Sequence, residues 1–179
     1  KTGYTTDYIT VEYGIINGYV YSLLLLPSFF TMAIANALLP VVSHSYSNRN
    51  FSYTKYKIKQ AIGISLLVGI PCTILFMCFG EFFLKFIYNT SEGLSYIKVI
   101  APIFLLHYIQ GPLTASMQAM GKAKEAMMGT FYGSVIRLLL LLILSFLHIG
   151  MWGLLTATLV NITFITIHHF YYVFLKNDF

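Results

Sequence analysis

Chemistry in this chain starts from Arg137. It is the single Asp, Glu, Lys or Arg in the long apolar stretch 126–175. A cation near the centre of a membrane helix costs about 2.5–3.5 kcal/mol on insertion scales, so it must face protein, water or an anion. Arginine cannot escape by losing its proton, and its planar fork of donors fits phosphate or carboxylate oxygens. Arg137 lies 11 residues before His148, and Asn161 lies 11 residues beyond Gly150. If a turn at 148–153 joins two antiparallel helices of equal rise, both side chains sit at one depth, near the midplane. Helical spacing also puts Gly129, Thr130 and Gly133 on the Arg137 face, a small and polar stripe. Two uses are open. Arg137 hydrogen-bonds Asn161 or backbone carbonyls and locks the hairpin, or it faces a cavity and receives an anionic group.

Gln110 and Gln118 complete the candidate binding set with Arg137 and Asn161. Asn36, His107, Thr156 and Thr163 are further polar residues that could line a path, although bonding between helices explains each of them as well. His168 and His169 are adjacent, so on a helix they point about 100° apart. No acid lies near them in sequence, and a metal pair is not expected. The six acids, Asp7, Glu12, Glu81, Glu92, Glu125 and Asp178, are scattered outside or at the edges of the apolar stretches. A transferase acting on lipid diphosphates would need clustered carboxylates to hold Mg²⁺. No DxxD, HExxH, nucleophile elbow or P-loop occurs. The sequence therefore predicts no catalytic residue, no cofactor and no enzyme. Cys72 and Cys78, six residues apart, would be roughly 9 Å apart along a helix, too far to bridge.

The elements that must position these residues are membrane helices. Charged residues make up only 9% of the chain and hydrophobic ones 58%, against about 25% charged in a soluble domain. Such a chain cannot cover itself in water, and its partner is a lipid bilayer. The net charge of +5 would suggest nucleic acid in a soluble protein. Here the basic bias of cytoplasmic loops accounts for it, and no nucleic-acid partner is expected. A span needs about 20 apolar residues. The charge-free intervals predict five helices, near 14–43, 60–88, 95–120, 126–148 and 150–175.

Arg49, Lys55, Lys57 and Lys59 form a basic loop after the first helix, and Lys122 and Lys124 another after the third. With Lys176 they outnumber Lys1, Lys85 and Lys98 on the opposite side. The N-terminus is therefore expected outside, and the C-terminus in the cytoplasm. The chain starts at Lys1 instead of Met, and is read as part of a longer protein. Pro27, Pro40, Pro71 and Gly111-Pro112 interrupt several helices, as neighbours or a cavity permit. Ala33, Ala37, Ala115 and Ala119, like Gly129 and Gly133, offer small-residue spacing for close packing.

The order of these features resembles a known family. Leu26-Pro27-Ser28, followed by Ala33-Ile34-Ala35-Asn36-Ala37-Leu38-Leu39-Pro40-Val41-Val42-Ser43, looks like a signature helix of bacterial polysaccharide exporters. Met117-Gln118-Ala119-Met120-Gly121-Lys122 is similar to the family's "LQglGk". In Gly133-Ser134-Val135-Ile136-Arg137-Leu138, the sporulation protein B-like branch usually has Lys at the place of Arg137. The turn at Gly150 and Gly153, followed by a helix with Asn161, also matches. The resemblance covers nearly the whole chain. It points to the multidrug/oligosaccharidyl-lipid/polysaccharide exporter superfamily, and within it to the polysaccharide-biosynthesis C-terminal region and the lipid II flippase-like proteins.

That resemblance implies an all-α, polytopic helix bundle of about five transmembrane helices, residues 1–179 forming part of one lobe of a two-lobe transporter. The five would correspond to helices eight to twelve of fourteen. It further implies an anionic lipid-linked sugar as substrate, the remaining lobe as partner, and residence in the bacterial cytoplasmic membrane. Rival readings are an ion-coupled multidrug exporter of the same superfamily and a scaffold for wall synthesis that transports nothing. An ion-coupled site would want an acid within the spans, and the sequence has none there.

Overall fold

The structure is a computed structural model that describes residues 6–147 and 149–176; Lys1, His148 and Asp178 lie outside the described residues. Among the described residues every regular element is helical. The first helical run consists of α1 (Thr6–Gly14), a π-helical stretch (Ile15–Tyr21), α2 (Ser22–Leu25) and α3 (Ser28–Ser47). Four long helices follow: α4 (Phe51–Tyr88), α5 (Leu94–Ala119), α6 (Ala123–Ser145) and α7 (Met151–Phe174). Five helices, α3 to α7, are long and apolar enough to cross a membrane.

Helix α5 is the hub, packed against α3, α4 and α7, while α6 leans mainly on α7. The first run travels alongside α5 in the same direction. Tyr96, near the start of α5, donates its hydroxyl to Glu12 Oε2 at 2.5 Å. Halfway along, Tyr108 donates to the carbonyl of Leu24 at 2.7 Å. That second bond has a local cause. Pro27 has no N–H to give, so the ladder breaks at Leu26-Pro27, and a neighbouring hydroxyl serves a carbonyl the break has freed. Two apolar clusters hold the bundle. One gathers Ile16, Leu23 and Leu24 with Ile97, Ile100 and Phe104; the other gathers Leu38, Val42 and Ile58 with Leu113, Met117 and Val173. Gln110 lies between them in the sequence of α5.

Several expectations are corrected. The first helix was expected over 14–43; the helical run instead covers Thr6–Ser47 with a break at Pro27. Glu12 does not end it, because Tyr96 satisfies the carboxylate. The second helix starts at Phe51 instead of 60. Asn50 caps it, its side-chain oxygen accepting from the Tyr53 N–H at 3.2 Å, as an N-cap should. The expected basic loop is therefore largely helix: Lys55, Lys57 and Lys59 lie in the first turns of α4, and only Arg49 belongs to the turn. Charge keeps residues out of hydrocarbon but does not stop a helix. Gly111-Pro112 likewise leaves α5 unbroken in secondary structure. The tight α3–α5 contact is made by Ala35 against Gly111, while Ala33 and Ala37 are exposed.

Candidate functional site

A cleft of about 510 Å³ opens between the first run, α5, α6 and α7. Asn17, Tyr21 and Ser22 form one wall, His107 and Gln110 another, and Thr158, Asn161 and Arg137 the third. A second cleft, of about 380 Å³, lies between α3 and α5, lined by Asn36, Gln118, Thr31 and Ser28. His107 and Gln110 line both. The structure thus brings Arg137, Asn161 and Gln110 to one cleft and places Gln118, with Asn36, in its neighbour. Thr156 and Thr163 line neither. Each turns its hydroxyl back onto its own helix, to the carbonyls of Trp152 and Leu159.

Helix α6 reaches α7 closely enough to set Arg137 beside Asn161. A Cβ on Gly133 would come within 2.7 Å of Ile165 Cγ1 and 2.9 Å of Asn161 Nδ2, and one on Gly129 would run into the His168 ring. Only glycine permits this approach, which is the small-residue packing expected in membranes. Arg137 stands one turn beyond Gly133. The hairpin-locking use expected of it is not realised. Among the described residues Arg137 Nε and the hydroxyl of Tyr21 across the cleft are buried without a hydrogen-bond partner, as are side-chain atoms of Ser28, Ser65, Thr73 and His168. Buried polar atoms are nearly always bonded, and each exception asks for a physical reason.

Other polar residues are committed to the scaffold. The Gln110 amide nitrogen donates to the Ile162 carbonyl and to Thr166 Oγ1, both at 2.9 Å, and ties α5 to α7. His169 is buried where α5, α6 and α7 meet. Its Nε2 lies 3.3 Å from the Ala126 carbonyl, which can only accept, so that nitrogen carries the proton. The hydroxyl of Thr114 then donates to Nδ1 at 3.1 Å. His168 stacks on Tyr172 with ring centroids 4.7 Å apart. His169 ties the three helices together, while His168 Nδ1 is buried without a hydrogen-bond partner among the described residues.

Sequence reasoning missed Tyr21, Asn17, Ser22 and Thr158 as cleft residues. Their polar types were visible. Asn17, Tyr21 and Ser22 lie in or just after the π-helical stretch 15–21, whose i→i+5 bonds depart from the regular helical spacing, and the facing of Thr158 depends on how α7 packs. The bond from Ser22 Oγ to the Asn17 carbonyl spans five residues and belongs to that stretch.

Residues 17–143 match the MatE family. Over 168 residues the chain is 32% identical to Stage V sporulation protein B of Bacillus subtilis (strain 168), which covers 93% of this chain and 32% of that protein. Over 160 residues it is 24% identical to Sporulation protein YkvU of the same organism, covering 89% of this chain and 36% of the relative. The chain spans about a third of the length of these relatives. No solved structure matches it significantly.

Proposed function

Because the chain belongs to the MatE family, within the multidrug/oligosaccharidyl-lipid/polysaccharide exporter superfamily, and is a multi-pass membrane protein, we propose that it forms part of a transporter that flips an anionic lipid-linked sugar. The substrate is a lipid-linked oligosaccharide or peptidoglycan precursor carrying a diphosphate. It crosses the cytoplasmic membrane by alternating access between this lobe and the remaining helices. No bond is made or broken, and binding and release do the work.

One observation carries this reading. Arg137 Nε and the Tyr21 hydroxyl are both buried, unpartnered and on the walls of one cleft. Both can donate, and together they call for an acceptor that the described residues do not supply. An oxygen-rich anion fits that need, with the guanidinium giving paired bonds to a phosphate. Asn161, Gln118 and the second cleft suit the neutral hydroxyls of a sugar. The lining of the Arg137 cleft holds no carboxylate, so the ion-coupled exporter lacks its acid there.

The test uses the complete protein in vesicles containing a fluorescent lipid-diphosphate sugar. Arg137→Ala is expected to abolish transfer between leaflets while leaving protein abundance near normal. Normal transfer by Arg137→Ala would refute the reading.

A further inference from the structure

Helix α4 is kinked at Phe79, and its part before the kink, residues 51–78, is about 42 Å long at 1.5 Å per residue, longer than a hydrocarbon core of about 30 Å. Its charge-free section, residues 60–80, accounts for one crossing. The turns before it, with Lys55, Lys57 and Lys59, therefore stand at headgroup level. At that level a groove of about 290 Å³ separates α3 from α4. Ile34, Leu38 and Val41 form its α3 side, Ala61 and Ile64 its α4 side, and Lys57 stands at its mouth with Tyr53 and Gln60.

The groove does not face the substrate clefts. The second cleft uses Met32, Asn36 and Leu39 of α3, whereas the groove uses Ile34 and Val41. Positions 32 and 34 are about 200° apart on a helix, so the two openings lie on opposite sides of α3. Among the described helices the groove opens away from the second cleft, so its occupant is distinct from what that cleft holds.

Lys57 is held in place. Its ammonium donates to Gln60 Oε1 at 3.0 Å and lies 5.3 Å from the ring centre of Tyr53 and 5.5 Å from that of Tyr56. One of its three N–H donors is thereby used. Among the described residues no carboxylate pairs with it, and residues 13–80 contain neither Asp nor Glu. A fixed, uncompensated cation above an apolar slot matches one ligand in both of its parts. We propose that this groove binds an anionic phospholipid, its phosphate at Lys57, with Tyr53 and Gln60 beside it, and an acyl chain along Ile34, Val41 and Ile64. Basic pockets between membrane helices hold anionic headgroups in this way. The proposal is independent of what the Arg137 cleft carries.

The experiment is native mass spectrometry of the complete protein released from nanodiscs of phosphatidylglycerol and phosphatidylcholine. The protein should retain phosphatidylglycerol in preference. Lys57→Gln should lower that preference about fivefold, the factor expected for one lysine at an anionic surface. Ala37→Trp, on the exposed rim of the groove, should fill the slot and remove the bound lipid. Lys59→Gln, an exposed lysine outside the groove, should lower the preference clearly less than Lys57→Gln does, and an equal loss would overturn the proposal. Undiminished retention in Lys57→Gln overturns the proposal. So does displacement of the lipid by inorganic phosphate, which would mean a plain anion site. Crosslinks from a photoreactive residue at position 37 to protein instead of lipid would mean that other helices cover the groove, and would overturn it too.

Discussion

Arg137 Nε and the hydroxyl of Tyr21 line the same cleft from different helices, and neither has a hydrogen-bond partner. Burying an unbonded donor costs about 1–3 kcal/mol, so the two together are an expense that stability alone does not explain. The proposed site, open to an oxygen-rich ligand, would account for it. In the complete protein, Arg137→Lys should keep the charge and part of the transfer activity while losing the paired contact. Arg137→Ala should lose activity without losing abundance. If Arg137→Ala disappears from the membrane while a stabilised version transports normally, the residue is structural.

Tyr21→Phe separates the same two roles more gently. Its hydroxyl has no well-formed hydrogen bond among the described residues, Thr158 being only a loose neighbour, so the melting temperature should change little. Substrate affinity should fall about fivefold, the worth of one neutral hydrogen bond. A lower melting temperature at unchanged affinity would show that the hydroxyl serves the fold.

Gly133→Ala tests the seam between α6 and α7. The added Cβ meets Ile165 and Asn161 at under 3 Å, and overpacking of this kind costs about 1–3 kcal/mol. Gly63→Ala is the control, because nothing lies within 4 Å of its Cβ. Thermal unfolding in detergent should separate the two clearly. Equal melting would mean that the seam is looser than described.

Tyr108→Phe removes the bond to the Leu24 carbonyl beside the break at Pro27. Membrane hydrogen bonds of this kind average about 0.6 kcal/mol and reach about 1.7. A freed carbonyl should bring this one to the upper part of that range, read as a lower unfolding midpoint. No change would mean that water serves Leu24 equally well.

Topology is tested by labelling single cysteines after Cys72 and Cys78 are replaced by Ser. A cysteine at Glu92 should react with an impermeant reagent from outside, and one at Asn50 should not. The reverse pattern would invert the orientation.

How much of this could be read from residues alone varied with the kind of signal. The five-helix bundle followed from charge-free intervals, which bilayer thickness makes decisive. Arg137 and Asn161 share a cleft as the symmetric count from their turn implied, because helical rise is constant. Facing was harder. Thr158 lines the cleft while Thr156 and Thr163 do not, and choosing among them needs the rotation of α7, which packing sets. The π-helical stretch has no composition of its own and hid Tyr21. The lysines of α4 looked like a loop because charge reports distance from hydrocarbon, and a helix can continue into water.

Arg137 also has an electrical consequence. A fixed positive charge part-way across a bilayer, with no carboxylate in its cleft, feels the membrane voltage. A full crossing is worth about 2.3 kcal/mol per charge at 100 mV, and any displacement of α6 along the membrane normal samples a fraction of that. The diphosphate cargo proposed above would bring one negative charge per phosphate, more than Arg137 alone offsets, and so would reverse the sign of the cleft. On that reading the voltage would push the empty and the loaded cleft in opposite directions.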